Sequence, residues 1–80
     1  MKDQIKAIAA GSVHLFNAHN APAVGKRYAW VEHHHAGGFT VSCGVYRDND
    51  GELNRSPVSS KYRKTASAAA NVVHNWLAYS

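Results

Sequence analysis

Side chains near the start of the chain recur at the spacing of one helix face. The positions on this face are Ile5, Ile8, Ala9, Ser12, Leu15 and Phe16. Their spacing predicts an amphipathic helix over residues 3–19, with Asp3 as its N-cap. Gly11 in the interior costs about 1 kcal/mol relative to alanine, so this helix needs a surface to pack on. Pro22 follows the helix, and we expect a loop as far as Gly25.

Two strands are predicted next. Residues 27–34 are rich in aromatic and β-branched side chains. They predict a strand that is followed by a turn at Gly37-Gly38. In residues 39–46, Phe, Val, Cys and Val alternate with Thr, Ser, Gly and Tyr, so one face is apolar and the other mixed. We expect the two strands to pair as an antiparallel hairpin across the glycine pair.

A third, shorter strand follows a strong turn signal. The run Asp48-Asn49-Asp50-Gly51 favours a tight turn, and residues 52–56 can return beside the second strand. Proline has no backbone donor, so Pro57 is predicted to stop the pairing. Residues 59 and 60 are then expected in a loop.

The last element is a second helix. Its apolar positions repeat the spacing of the first helix: Ala66, Ala69, Ala70, Val73, Trp76 and Leu77. Thr65 or Ser67 is its expected N-cap. The predicted fold class is therefore α+β, a small antiparallel three-stranded sheet with two helices on one face in the order α-β-β-β-α. We expect the whole chain, residues 1–80, to form one domain.

Composition narrows the function classes. The chain has 45% hydrophobic and 18% charged residues, which is too apolar for a disordered protein. Nine Lys and Arg against five Asp and Glu give a net charge of +4, which favours electronegative partners: nucleic acid, an anionic membrane surface or an acidic protein. The alternative is that this modest charge only maintains solubility. With one cysteine and neither a signal peptide nor a membrane span in the pattern, we expect a cytoplasmic protein, monomeric or homodimeric.

The sequence contains only weak signals for a metal site or a catalytic site. In a strand, His33 and His35 would share a face while His34 points away, so two imidazoles could hold zinc or nickel. A third ligand would have to come from His14, His19 or His74. The spacing typical of zinc sites is absent, so we predict neither a metal nor another cofactor. Cys43 alternates in register with apolar residues and is expected to be a buried thiol rather than a nucleophile. Without a catalytic motif, we expect a non-enzymatic protein.

The better candidate is a basic run near the last helix. Residues 55–64 contain four cations and no carboxylate, and an aromatic side chain lies among them. Flexible cations beside the N-terminal donors of a helix suit phosphate contacts. Tyr46, on the less apolar face of its strand, is a second aromatic anchor. The predicted partner-binding residues are Arg55, Lys61, Tyr62, Arg63, Lys64 and Tyr46. A solvated loop whose charges complement nothing remains the alternative.

Part of the chain resembles the double-stranded-RNA-binding domain. The segment Ser60-Lys61-Tyr62-Arg63-Lys64, followed by Ala66-Ser67-Ala68-Ala69-Ala70, is similar to the basic, alanine-rich helix start of that family. Phe39-Thr40-Val41 resembles its central strand. The resemblance covers residues 39–77 and implies a nucleic-acid-binding domain that reads shape through phosphates.

The chain as a whole also resembles the small phage-encoded anti-CRISPR proteins. The likeness consists of a single domain of 80 residues, no enzyme motif, and a small sheet flanked by helices. It implies a stoichiometric inhibitor that binds a CRISPR effector complex and blocks its interaction with target DNA. Nucleic-acid binding through the same basic residues is the alternative function.

Overall fold

The computed structural model describes residues 1–18 and 22–78, and it forms a four-stranded antiparallel sheet with two helices. The elements are α1 (Lys2–Lys6), β1 (Val13–Asn17), β2 (Arg27–His33), β3 (Phe39–Asn49), β4 (Glu52–Arg63) and α2 (Ala66–Leu77). The strands lie in the order β1-β2-β3-β4, so each pairs with its neighbour in the chain. The α+β class is confirmed, but the sheet has four strands where the sequence predicted three. None of the described helices is long and apolar enough to cross a bilayer.

The first predicted helix is wrong beyond its first turns. Helix α1 is only five residues long, and Gly11, with φ of +85°, turns the chain into β1. Pairing with β2 begins at once, because Gly11 N–H donates to His33 O at 2.7 Å and His33 N–H donates to Ser12 O at 3.0 Å. These cross-strand bonds replace the helical ones that the spacing implied. Residues 19–21, where the helix was expected to end and the loop to begin, lie outside the described part of the chain.

Strand β4 continues through Pro57, contrary to the predicted stop. Cys43 lies opposite Ser59, and Gly44 lies opposite Pro57, which leaves Val58 as the extra residue of a β-bulge. A bulge on an edge strand is one of the few places where a sheet tolerates proline. Most of the basic run therefore lies on an edge strand rather than in a loop.

Both predicted hairpins are confirmed. At the tip of the β3–β4 hairpin, Asp50 and Gly51 have φ of +53° and +87°, the signs that a two-residue type I′ turn requires. Gly51 N–H also donates to Asp48 Oδ1 at 3.0 Å. Gly37 and Gly38 likewise have positive φ between β2 and β3. Residues that tolerate this conformation occur at these turns, which explains why the sequence located them.

The hydrophobic core lies between the helices and one face of the sheet. Its fully buried members include Ile5, Val31, Val41 and Val73, and the buried face of α2 is the predicted one. Thr65 is the N-cap of α2, because its Oγ1 accepts a hydrogen bond from Ala68 N–H at 3.1 Å.

Trp76 fastens the end of α2 to the sheet. Its indole Nε1 donates to Tyr28 O at 2.9 Å and to Gly44 O at 3.1 Å. Arg27 donates from Nη1 to Trp76 O at 3.0 Å, and its guanidinium lies 4.1 Å from the centre of the indole ring. A Cβ at Gly44 would lie 2.5 Å from Ser56 O, so only glycine fits beside the bulge. This docking leaves a groove between α2 and β4.

Candidate interface for an anionic partner

Strand β4 distributes the basic run over two faces of the sheet. Lys61 lies opposite Val41 and Arg63 opposite Phe39. Directly opposed residues of an antiparallel pair project to the same face, and Val41 and Phe39 belong to the core. Lys61 and Arg63 therefore lie on the face that α2 covers.

The other members of the predicted set lie elsewhere. Arg55 is opposite Tyr46, and Tyr62 is opposite Thr40, on the face of the sheet that the helices do not cover. Lys64 is exposed in the bend between β4 and α2. The structure thus brings Lys61 and Arg63 together and separates them from Arg55, Tyr62 and Tyr46.

Cations converge on a concavity in the α2–β4 groove. Its volume is about 480 Å³, and it is lined by Arg27, Cys43, Ser59, Lys61, Arg63, Ala68, Asn71, Val72, Asn75 and Trp76. Three of these side chains are cationic, two are amides, and none is a carboxylate. The groove therefore offers hydrogen-bond donors and positive charge to a ligand.

Within residues 1–18 and 22–78, no carboxylate forms an ion pair with a cation of β4. Among the described residues, the one ion pair within 4 Å joins His34 Nδ1 to Glu32 Oε2, at 3.9 Å. Arg63 Nη1 donates instead to Tyr62 O at 2.8 Å. Burial raises the pKa of the Cys43 thiol, although a hydrogen bond with Ser59 and the charge of Lys61 oppose the rise. The thiol is therefore uncharged at neutral pH, as expected for a buried structural cysteine.

The opposite face carries aromatic rings and one arginine. The guanidinium of Arg55 lies 4.4 Å from the centre of the Trp30 ring, and the rings of Tyr28 and Tyr46 are 5.2 Å apart. Tyr46 is only 4% exposed, and its hydroxyl donates to Asn17 Oδ1. The expectation that Tyr46 presents its ring to a partner is wrong. Asn17 belongs to β1, the strand that the sequence did not predict.

Tyr62 is an exposed aromatic, as expected, with 52% of its surface accessible. Its hydroxyl donates to Gly37 O at 3.2 Å, which holds the ring over the β2–β3 turn. The ring centre lies 6.1 Å from that of His34. Tyr62 therefore extends the uncovered face toward this turn and away from the groove.

The three consecutive histidines have separate structural contacts. His33 Nδ1 donates to Ile8 O at 2.7 Å, and its ring stacks on Phe39. His34 Nε2 is hydrogen-bonded with Thr40 Oγ1 at 2.6 Å. His35 lies against Gly11. The described residues contain no group of three histidines, cysteines or acids arranged for a metal ion, and His19 lies outside them.

Sequence reasoning missed three residues of the groove: Arg27, Asn71 and Asn75. The two asparagines are four positions apart on the polar side of α2, a spacing that places them on one helix face. Their position opposite β4 becomes visible only when the helix is docked. Comparison of the chain with models of protein families, with curated proteins and with solved structures finds no match.

Proposed function

We propose that this protein is a non-enzymatic binding protein that attaches to an electronegative partner through the basic strand β4. The observation that carries this proposal is the groove in which Lys61 and Arg63 lie across from two asparagine amides, and in which no lining side chain of the described residues is a carboxylate. Cations without an internal counter-charge increase the rate and specificity of binding to an acidic surface.

The specific form of the proposal is an inhibitor of the anti-CRISPR kind. Such a protein would act in the cytoplasm of a bacterial host, occupy part of a CRISPR effector complex, and hinder its interaction with target DNA. The small single domain and its basic edge support this form. The choice of a CRISPR effector complex as the target rests on the resemblance of the whole chain to the anti-CRISPR proteins. The groove could contact either an acidic protein surface or nucleic acid within the complex.

The second candidate is direct binding to nucleic acid. The side-by-side cations of the groove favour it, because phosphate contacts supply most of the affinity in such complexes. Helix α1, with five residues, and the additional strand β1 depart from the α-β-β-β-α order of the double-stranded-RNA-binding domain. The basic groove, rather than the geometry of that family, therefore carries this candidate.

One set of binding assays tests both forms. Guide-loaded CRISPR effector complexes, and separately bare RNA and DNA, are titrated with the protein at about 50 and about 200 mM salt. The quadruple variant R55Q/K61Q/R63Q/K64Q should lose about tenfold or more in affinity or in inhibition of target-DNA binding, because it removes the three cations of β4 and the adjacent Lys64. The control K2Q/K6Q/K26Q/R47Q removes the same charge elsewhere and should lose much less.

The outcomes separate the candidates. Inhibition of an effector complex without binding to bare nucleic acid supports the inhibitor. Steeply salt-dependent binding to bare nucleic acid supports the second candidate. A quadruple variant that binds as well as its charge-matched control contradicts any role of strand β4.

A further inference from the structure

The α2–β4 groove presents two facing rows of polar side chains. Lys61 and Arg63 are two residues apart on one face of a strand, which places them about 7 Å apart along β4. Asn71 and Asn75 are one turn apart on α2, with about 6 Å between their Cβ atoms. The two rows line opposite sides of a groove of about 480 Å³. A ligand in the groove would lie between the cations of β4 and the amides of α2.

The chemistry of the lining selects the charge of the ligand. Lys61 contributes an ammonium with donors only, and Arg63 a planar guanidinium that can bind phosphate in a bidentate manner. The Cys43 thiol adds no negative charge, because burial raises its pKa. Two adjacent cations, with no carboxylate among the described lining residues, match a ligand whose negative charges repeat at short intervals. A nucleic-acid strand carries one such charge per nucleotide.

The apolar part of the groove fits the remainder of such a strand. Ala68, Val72 and Trp76 lie on the helix side beside the asparagines. Arg27 covers the Trp76 ring at 4.1 Å and bonds the end of the helix, so its role includes shaping this wall. A chain of alternating phosphate and sugar units can place its phosphates on the cations and its sugars against the apolar side chains.

We propose that the α2–β4 groove binds the sugar-phosphate backbone of nucleic acid, with Lys61 and Arg63 on successive phosphates and Asn71 and Asn75 donating to their oxygens. This inference rests on the proposed function, which it narrows from an electronegative partner to phosphodiester groups. It assigns binding to the helix side of β4 and leaves Arg55 and Tyr62 outside the groove.

The test uses substitutions that change charge equally inside and outside the groove. Asn71→Asp introduces a carboxylate between the helix and the cations of β4, whereas Asn54→Asp introduces one on β4 away from the groove; both asparagines are exposed. Binding of a fluorescein-labelled oligothymidylate of about 12 nucleotides, and of a duplex of similar length, is measured by anisotropy. We expect Asn71→Asp to weaken binding about tenfold or more and Asn54→Asp to have a much smaller effect, because a carboxylate in the groove repels the phosphates.

Two further measurements complete the test. Asn75→Asp should reproduce the effect of Asn71→Asp, and circular dichroism checks that each variant folds. Lys61→Gln should reduce the slope of log affinity against log salt by about 0.7 to 0.9, the value for one lost phosphate contact. An acidic peptide of similar length should compete poorly.

The possible failures are distinguishable. If Asn71→Asp and Asn54→Asp weaken binding equally while the quadruple variant of β4 abolishes it, the groove assignment is wrong and the basic strand remains the binding surface. If the wild-type protein binds an effector complex but no oligonucleotide, or if the acidic peptide competes fully, the partner of the groove is not a phosphodiester backbone.

Discussion

At the scale of single residues, burial determines the chemistry of Cys43. The thiol is 2% exposed and lies in the core between β2 and β4. Loss of solvation raises its pKa more than Ser59, Lys61 and Arg27 lower it. A thiol with a raised pKa is a poor nucleophile at neutral pH, because only the thiolate reacts. Cys43 is therefore better suited to packing than to catalysis.

This pKa predicts how stability depends on pH. The pKa of Cys43 is above its ordinary value of 9.0 in the folded protein, so the unfolded chain loses the proton first. The contribution of the Cys43 thiol to the free energy of unfolding should be complete below about pH 8. It should decline as the pH rises through 9 toward the pKa of the folded protein. Cys43→Ala should abolish this decline, as measured by urea unfolding from about pH 7 to about pH 10.

The comparison of the two proteins isolates the thiol. Burial also raises the pKa values of Tyr28 and Tyr46, with the same sign at higher pH. Both tyrosines are present in the wild-type protein and in Cys43→Ala, so their effect cancels in the difference. Parallel pH profiles for the two proteins would show that the thiol does not titrate differently on folding.

At the scale of elements, local chemistry explains which predictions succeeded. The sequence predicts helix α2 with its buried face, and with Thr65 as one of two candidate caps, because capping and a 3.6-residue period act within a few residues. The two hairpin turns were located because positive φ restricts the residue types. The extent of the first helix was not predicted correctly, because the spacing of its apolar residues also suits a short helix followed by a strand. Only pairing of residues 11–17 with β2 decides between them.

The cap of α2 gives a prediction at this scale. Thr65→Ala should destabilise the protein by about 1 kcal/mol, since Ala68 N–H loses the hydroxyl that accepts its hydrogen bond. Ser67→Ala is the matched control, because Ser67 lies within the helix and its side chain is exposed. It should change the free energy of unfolding by less than about 0.5 kcal/mol. Urea denaturation measures both values, and equal effects would argue against Thr65 as the cap.

At the scale of the whole molecule, Trp76 connects α2 to two strands that are distant from it in sequence. It joins α2 to the carbonyls of β2 and β3, and the same site holds Arg27. This contact docks the end of α2 on β2 and β3, and Trp76 also lines the groove between α2 and the edge strand β4. The predicted cations are present, but the faces on which they lie depend on the bulge between Pro57 and Ser59.

Replacing Trp76 tests this role. Trp76→Phe should destabilise the protein by about 2 kcal/mol or more, because it removes the shared indole donor and weakens the stacking of Arg27. Trp30→Phe, on the other face of the sheet under Arg55, should cost less, since no such bridge to two strands is lost there. Thermal and urea unfolding compare the two variants. A smaller loss for Trp76→Phe than for Trp30→Phe would contradict the proposed docking.

Features whose causes act over a few residues follow from the order of amino acids: the capped helix α2, the two tight turns, the buried thiol and the positive charge. Tertiary structure alone decided the strand β1, the passage of β4 through Pro57, the burial of Tyr46 and the separation of Arg55 from Lys61 and Arg63. These depend on backbone hydrogen bonds between distant segments, and on a bulge that resets which side chains share a face.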